Sequence, residues 1–261
     1  MPSTLTSPIK RAGGKRRLLP QILPLIAERP HVCFVEAFGG GLSVTLNKPR
    51  SKVEVINDLD GDLANFYRVA RFHAPELRRQ MRGQVNSRAL FQAARRAPEH
   101  ETDVHRAARY WFLNACSFGA DGDSFGVVKT QGGGAGTRWP SKLARLADLH
   151  ARLDGVIVEN VTWERLFKIY DGPATLWFLD PPYVGGSQKA YSPWTLDQMT
   201  AFRDAVRALK GRWIVTVGGT PEMQELWAGH PQQVVSRSLN IGAQKNGQTG
   251  RRFAELIVCD R

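Results

Sequence analysis

Long apolar runs are absent from this chain. No stretch of about 18 apolar residues occurs, which excludes a membrane-spanning helix, and no basic amphipathic membrane helix is present. Met1 to Ser7 is short and polar and lacks a signal-peptide core. Cysteine is scarce: Cys33, Cys116 and Cys259 lie far apart with no paired spacing. That argues against disulfides and zinc, and for a reducing cytoplasm. His31, His73, His100, His105, His150 and His230 are just as scattered, so nothing marks a metal site or a nucleophilic triad. No internal repeat is evident. Acidic residues are in deficit: 24 Asp and Glu face 36 Lys and Arg, a net charge of +12. A field of that sign favours a polyanion, and without a membrane element nucleic acid is the better partner.

What is present fits one large α/β domain, or a domain with an insertion. The chain has 261 residues and 42% apolar content, enough for a full core. Val32 to Glu36 and Val53 to Ile56 read as short strands. A glycine turn and a helix at about Ser43 to Asn47 lie between them, and a longer helix follows from Leu59 to Phe72. From Arg68 to Arg109 there are ten arginines in mostly helical sequence. A Gly-rich segment, 119–136, comes next and is too long for an ordinary connection. The α/β pattern then returns. Strands are predicted at Val156 to Val161, Thr175 to Leu179 and Arg212 to Val217. Helices are predicted at Lys142 to Leu153, Leu196 to Leu209 and Pro221 to Ala228. Val234 to Leu239 and Phe253 to Cys259 read as a hairpin around a basic loop with Asn246-Gly247, a strong turn dipeptide. The predicted architecture is a doubly wound, Rossmann-like sheet with a C-terminal hairpin. Residues 1–73 and 141–261 form the main domain, and 74–140 a basic helical insertion.

Four short segments carry chemistry. Leu176-Trp177-Phe178-Leu179, bounded by Gly172-Pro173 and by Pro181-Pro182, reads as a buried parallel strand. Open α/β sheets bind ligands beyond the carboxyl ends of their strands. Asp180-Pro181-Pro182-Tyr183 therefore stands at the active edge. There Asp180 and the Pro181 carbonyl can accept two amino hydrogens, and Tyr183 can stack on a flat ring. Glu36-Ala37-Phe38-Gly39-Gly40-Gly41 takes another strand into three glycines, which let backbone approach a ligand closely. Asn57-Asp58-Leu59-Asp60 ends the second strand, where Asp58 can accept from ribose hydroxyls and Asp60 can cap a helix. Arg11-Ala12-Gly13-Gly14-Lys15 can hold a carboxylate or serve as a basic arm.

The ordered set resembles the Dam-type, alpha-class DNA adenine-N6 methyltransferases, in particular short phage-like members. Tyr110-Trp111-Phe112-Leu113-Asn114 and Gly250-Arg251-Arg252-Phe253-Ala254-Glu255 also look familial. Three positions depart from the pattern: Arg11 where an aromatic residue is common, Ala37 where proline is, and Leu42 where glycine is.

The resemblance implies S-adenosyl-L-methionine as methyl donor. Arg11, Gly13, Gly14, Lys15, Glu36, Phe38, Gly39, Gly40, Gly41, Asp58 and Asp180 would bind it, and Asp180, Pro181, Pro182 and Tyr183 would act on a flipped adenine in double-stranded DNA. Arg88, Arg95, Arg96, Arg106, Arg109 and Arg138, with Lys142, would meet phosphates. Base reading is placed in the 114–128 segment and the 244–252 loop, including Asn114, Lys245, Asn246, Arg251 and Arg252. The expected state is a monomer or weak dimer, with or without a cognate restriction enzyme. Cytosine N4 or an adenine in RNA stays open as the acceptor, as does a non-catalytic DNA-binding role. Trp111, Phe112, Trp163 and Trp213 are read as core.

Overall fold

The computed structural model describes residues 5–11, 13–96, 101–120, 122–126, 137–185, 193–238 and 252–261. Five strands run parallel: β1 (Cys33–Glu36), β2 (Val53–Asn57), β3 (Ile157–Glu159), β4 (Thr175–Leu179) and β5 (Arg212–Gly218). The hairpin strands β6 (Gln232–Ser238) and β7 (Arg252–Cys259) complete a seven-stranded sheet in the order β3-β2-β1-β4-β5-β7-β6. Only β7 pairs antiparallel with the parallel block, through β5. Strand order reverses between β1 and β4, and doubly wound sheets open a ligand crevice at such a switch point.

Side chains alternate across the sheet, so each strand feeds two cores. Val35, Trp177, Leu179, Val215 and Val217 face one side with Leu166, Phe167, Met199, Phe202 and Val206. These last come from α7 (Trp163–Tyr170) and α8 (Leu196–Arg207); α9 (Pro221–Leu226) adds Met223. Phe34, Leu176, Phe178 and Ile214 face the other side and meet Leu19, Ile22 and Ile26 of α1 (Leu19–Ala27). A third cluster joins the β2 face to α2 (Gly61–Phe72), α3 (Ala74–Met81), α4 (Arg88–Arg95), α5 (Asp103–Cys116) and α6 (Trp139–Arg152). At its centre Trp139 stacks on Phe112 with centroids 5.9 Å apart. The arginine-rich helices thus share an apolar core with α2 and do not hang from the sheet on a linker. Trp111, Phe112 and Trp213 are buried as predicted.

The expected helix at Ser43–Asn47 is only a turn, closed by Leu46 N to Leu42 O and Lys48 N to Val44 O at 3.0 Å each. Pro49 disfavours helical backbone at the residue before it and stops propagation. The helix expected from Leu59 begins at Gly61, because the Asp60 carboxylate accepts from the amides of Asp62 and Leu63. β3 is shorter than predicted. Val161 N turns to the Asn57 side chain at 3.0 Å, and Asn160 Nδ2 donates to Asp58 O at 2.7 Å. α7 was not expected as a helix, although Trp163, Leu166, Phe167 and Tyr170 fall at helical spacing.

One buried ionic group ties the layers together. Glu54 on β2 accepts from Lys48 Nζ at 2.5 Å and from Arg152 Nη1 at 2.6 Å and Nη2 at 2.9 Å. All three side chains are less than a tenth exposed.

Candidate active site

Loops after β1, β2, β3 and β4 and the segment before α1 meet around a cavity of about 260 Å³ at the carboxyl edge of the sheet. The glycine loop is tight for steric reasons. Gly39 N donates to Asn57 O at 2.7 Å, and a Cβ at Gly39 would lie 3.1 Å from that oxygen and 3.0 Å from Leu42 Cδ2. Gly40 takes φ +48°. Its amide donates to Asp58 Oδ2 at 2.8 Å, and its carbonyl accepts from the buried Tyr67 hydroxyl at 2.6 Å. Leu42 takes φ +52° and is fully buried. The position therefore demands left-handed backbone, which explains why glycine suits it; here burial of the leucine offsets a strain of roughly 1–2 kcal/mol.

Asp58 joins two loops. Its Oδ1 accepts from Asp60 N at 2.9 Å while Oδ2 holds Gly40. Burial pushes its carboxyl above the usual range, against the pull of these amides. Asn57 fixes the same edge: its amide donates to Ala37 O at 2.9 Å and Val161 O at 3.1 Å.

Asp180 sits where β4 ends. Leu179 pairs with Val215, so Thr216 comes level with Asp180 and donates to its Oδ1 at 2.8 Å. Asp180 Oδ2 lies 2.6 Å from Lys15 Nζ, whose side chain is 4% exposed. The same ammonium donates to Gly13 O at 2.6 Å and stands 5.2 Å from the centroid of the Tyr183 ring. Pro181 and Pro182 line the cavity beside it. Phe38, Trp163 and Trp194 also line the cavity and pack on Phe202. Phe38 meets Trp194 and Phe202 edge-on at 5.9 and 5.7 Å, and Trp163 meets Phe202 at 5.2 Å. Trp163 packs half-buried against the core, as expected in part, and also lines the cavity. Trp194 and Thr216 were missed. Thr216 carried no signal, since only strand pairing brings it to Asp180.

Glu36 lines the cavity but points its carboxylate at Thr45, whose amide donates at 2.8 Å and whose hydroxyl also donates. Burial raises this carboxyl to about 7; the Thr45 bonds lower it and the Asp180 charge adds to the rise. The folded state thus holds an extra proton between about pH 4.5 and 7, and stability falls as pH rises through that window. Glu36→Gln removes the titration. Between pH 4 and 8 wild-type stability is expected to drop relative to the variant by about 3 kcal/mol. Paired urea denaturation at the two pH values checks this; a difference independent of pH rejects it.

The residues expected at DNA have different surroundings. Arg88, Arg95, Arg96 and Arg138 are exposed; Arg88 lies 5.0 Å from the Phe125 ring and Arg95 3.8 Å from Asp123. Arg106 pairs with Asp62 at 3.2 Å and Arg109 with Glu101 at 2.8 Å. Two expectations are corrected. Asn114 is 4% exposed; its oxygen accepts from Lys10 N at 3.0 Å, and its amide donates to Lys10 O at 2.8 Å and Ala120 O at 3.1 Å. All its polar atoms are spent inside the protein. Lys142 is buried, donates to Pro8 O at 2.6 Å, and has its ammonium lowered to about 8, by burial first and then by nearby Lys10 and Arg145. Arg11, expected at the cofactor, lines the cavity and also binds Asp60 and, at 2.7 Å, the Tyr110 hydroxyl. Lys245, Asn246 and Arg251 lie outside the described residues, and Arg252 is placed only as the backbone partner of Ser238.

A sheet of this order, with a glycine loop, strand-end acids and Asp-Pro-Pro-Tyr at one edge, defines a Rossmann-like α/β methyltransferase. The chain belongs to the D12 class of N6 adenine-specific DNA methyltransferases, whose family model matches residues 12–205. It is therefore an adenine-specific DNA methyltransferase. No curated protein matches it. Among solved structures it is similar to an rRNA methylase from Streptococcus thermophilus, with 11% identity, 93% of this chain and 97% of that chain covered, and a TM-score of 0.37. It is also similar to an rRNA-methylase structure from Clostridium thermocellum, with 11% identity, coverage of 96% and 98%, and a TM-score of 0.40. Neither likeness bears on the substrate. Among the described residues no helix is long and apolar enough to cross a membrane, and no group of three or more His, Cys, Asp or Glu could hold a metal.

Proposed function

We propose that the methyl donor is S-adenosyl-L-methionine and the acceptor an adenine flipped out of duplex DNA. One observation carries this reading: the glycine loop, Asp58 and Asp180–Tyr183 open onto a single cavity. The donor set suits the cofactor. Asp58 at the tip of β2 stands where a ribose is held in doubly wound sheets, and Phe38, Trp163 and Trp194 offer aromatic faces. When bound, S-adenosyl-L-methionine supplies an electrophilic methyl group on sulfur.

The chain's own residues prepare the amino nitrogen. The lone pair of an adenine amino group is delocalised into the ring. Hydrogen bonds from that group to Asp180 and to the Pro181 carbonyl favour a tetrahedral nitrogen and localise the pair. Thr216 fixes the carboxylate, so positioning and electrostatics are the main contribution. After transfer the nitrogen carries a proton that Asp180 can accept. Flipping costs a few kcal/mol, which Tyr183 offsets in part by stacking.

Residues 74–140 are proposed as the target-recognition insertion, with exposed Arg88, Arg95, Arg96 and Arg138 on phosphates. If these four make one contact each, affinity is expected to fall on the order of 10²-fold between 50 and 200 mM salt. Fluorescence anisotropy with labelled duplex measures this; a flat response removes the phosphate interface. Transfer of labelled methyl to DNA, followed by nucleoside analysis, tests the acceptor. N6-methyladenine in duplex is expected. Label only in N4-methylcytosine, only in RNA, or nowhere overturns the reading.

A further inference from the structure

The segment leading to Lys15 is held from outside the sheet, at three successive points. Lys142 of α6 donates to Pro8 O, Asn114 of α5 brackets Lys10 through both its amide and its carbonyl, and Tyr110 of α5 accepts from Arg11. A few residues on, Gly13 takes φ +80°, and Lys15 places its ammonium on Asp180. The remaining Asn114 hydrogen bond goes to Ala120, which ends the exposed turn after α5 at φ +64°. Asn114 therefore touches both a surface turn of the arginine-rich insertion and the strap that ends at the catalytic carboxylate. It is buried and uses every polar atom for this purpose.

We propose that Asn114 is a positioning residue. By fixing Lys10 it sets where Lys15 meets Asp180, and so links the state of the insertion to the geometry of the acceptor site. The inference rests on the role given to Asp180 above. It differs from a DNA-reading role for Asn114, which would act on duplex affinity, and from a purely structural one, which would act on folding alone.

The test is a double-mutant cycle in the full chain. Asn114→Ala, Lys15→Met and the double variant are measured for kcat on a duplex substrate, for duplex KM and for melting temperature. Residues that act as a unit give strongly non-additive losses. Asn114→Ala is expected to lower kcat about 10-fold with duplex KM within about twofold. In the Lys15→Met background the same change is expected to cost less than about twofold. Asn114→Ser, a milder change at the same residue, supplies the same cycle if Asn114→Ala does not fold. Additive losses, a change confined to KM, or a change confined to melting temperature overturns the proposal. An active Asp180→Asn variant would instead overturn the role of Asp180 on which it rests.

Discussion

Asp180→Ala is expected to lower methyl transfer about 10³-fold or more while S-adenosyl-L-methionine binding changes only a few-fold. Asp180 is the one carboxylate at the end of β4, and the amino group of the proposed acceptor has no equivalent partner there. The Pro181 carbonyl can accept one hydrogen but carries no full charge to stabilise a nitrogen becoming positive. Asp58 and Glu36 cannot substitute. They stand at the ends of β2 and β1, where the Asp58 carboxylate accepts from the Gly40 and Asp60 amides and Glu36 from Thr45, rather than next to the Pro181 carbonyl. Asp180→Asn sharpens the test. Its oxygen can still accept from Thr216, while the carboxylate charge that faces Lys15 is gone. Both variants are expected to be inactive in a single-turnover assay and to retain cofactor by calorimetry. Either one turning over at a tenth of the wild-type rate would remove the carboxylate from the chemistry. Tyr183→Ala is expected to cost less, about 1–3 kcal/mol of stacking.

Glu54→Gln is expected to cost about 3–5 kcal/mol of stability, because it leaves the Lys48 and Arg152 cations buried without their shared counter-charge. For a chain of this size that corresponds to a fall in Tm of roughly 10–15 °C. Burial alone would raise the Glu54 carboxyl, but hydrogen bonds from Arg152 and Lys48 outweigh it and hold it below the usual value. A depressed carboxyl adds stability above its unfolded value and loses it as pH falls through the folded one. Wild type should therefore lose stability in acid over that range, and Glu54→Gln should not. Replacing Lys48, Glu54 and Arg152 together by apolar residues should recover much of the loss, since no charge is then stranded. Calorimetry of the three proteins decides; a single variant as stable as wild type would show that the trio holds nothing together.

The strand-end motifs were legible because their signals are local. An apolar run that ends in Asp180-Pro181 announces a buried strand and its tip wherever it lies in a chain. Three glycines after Glu36 announce a tight turn, and the structure shows Gly39 pressed against Asn57 O. Asp60 was readable as a cap for the same reason. At Ser43–Asn47 helical propensity is cut short by Pro49, whereas α7 follows the apolar spacing of Trp163, Leu166, Phe167 and Tyr170.

By itself, then, the sequence determined the order of the strands' chemical tips, the basic character of the insertion and the family. Each depends on residues adjacent in the chain. Only the tertiary structure decided which polar groups are spent and which face the cavity. Asn114 and Lys142 read as surface groups until contacts across 104 and 134 residues turned them inward to Lys10 and Pro8. Thr216 reached Asp180, and Trp163 and Trp194 reached Phe38 and Phe202, through strand pairing and helix packing alone. A buried amide or ammonium must find a partner wherever the fold supplies one, and that partner is set by packing rather than by neighbouring sequence.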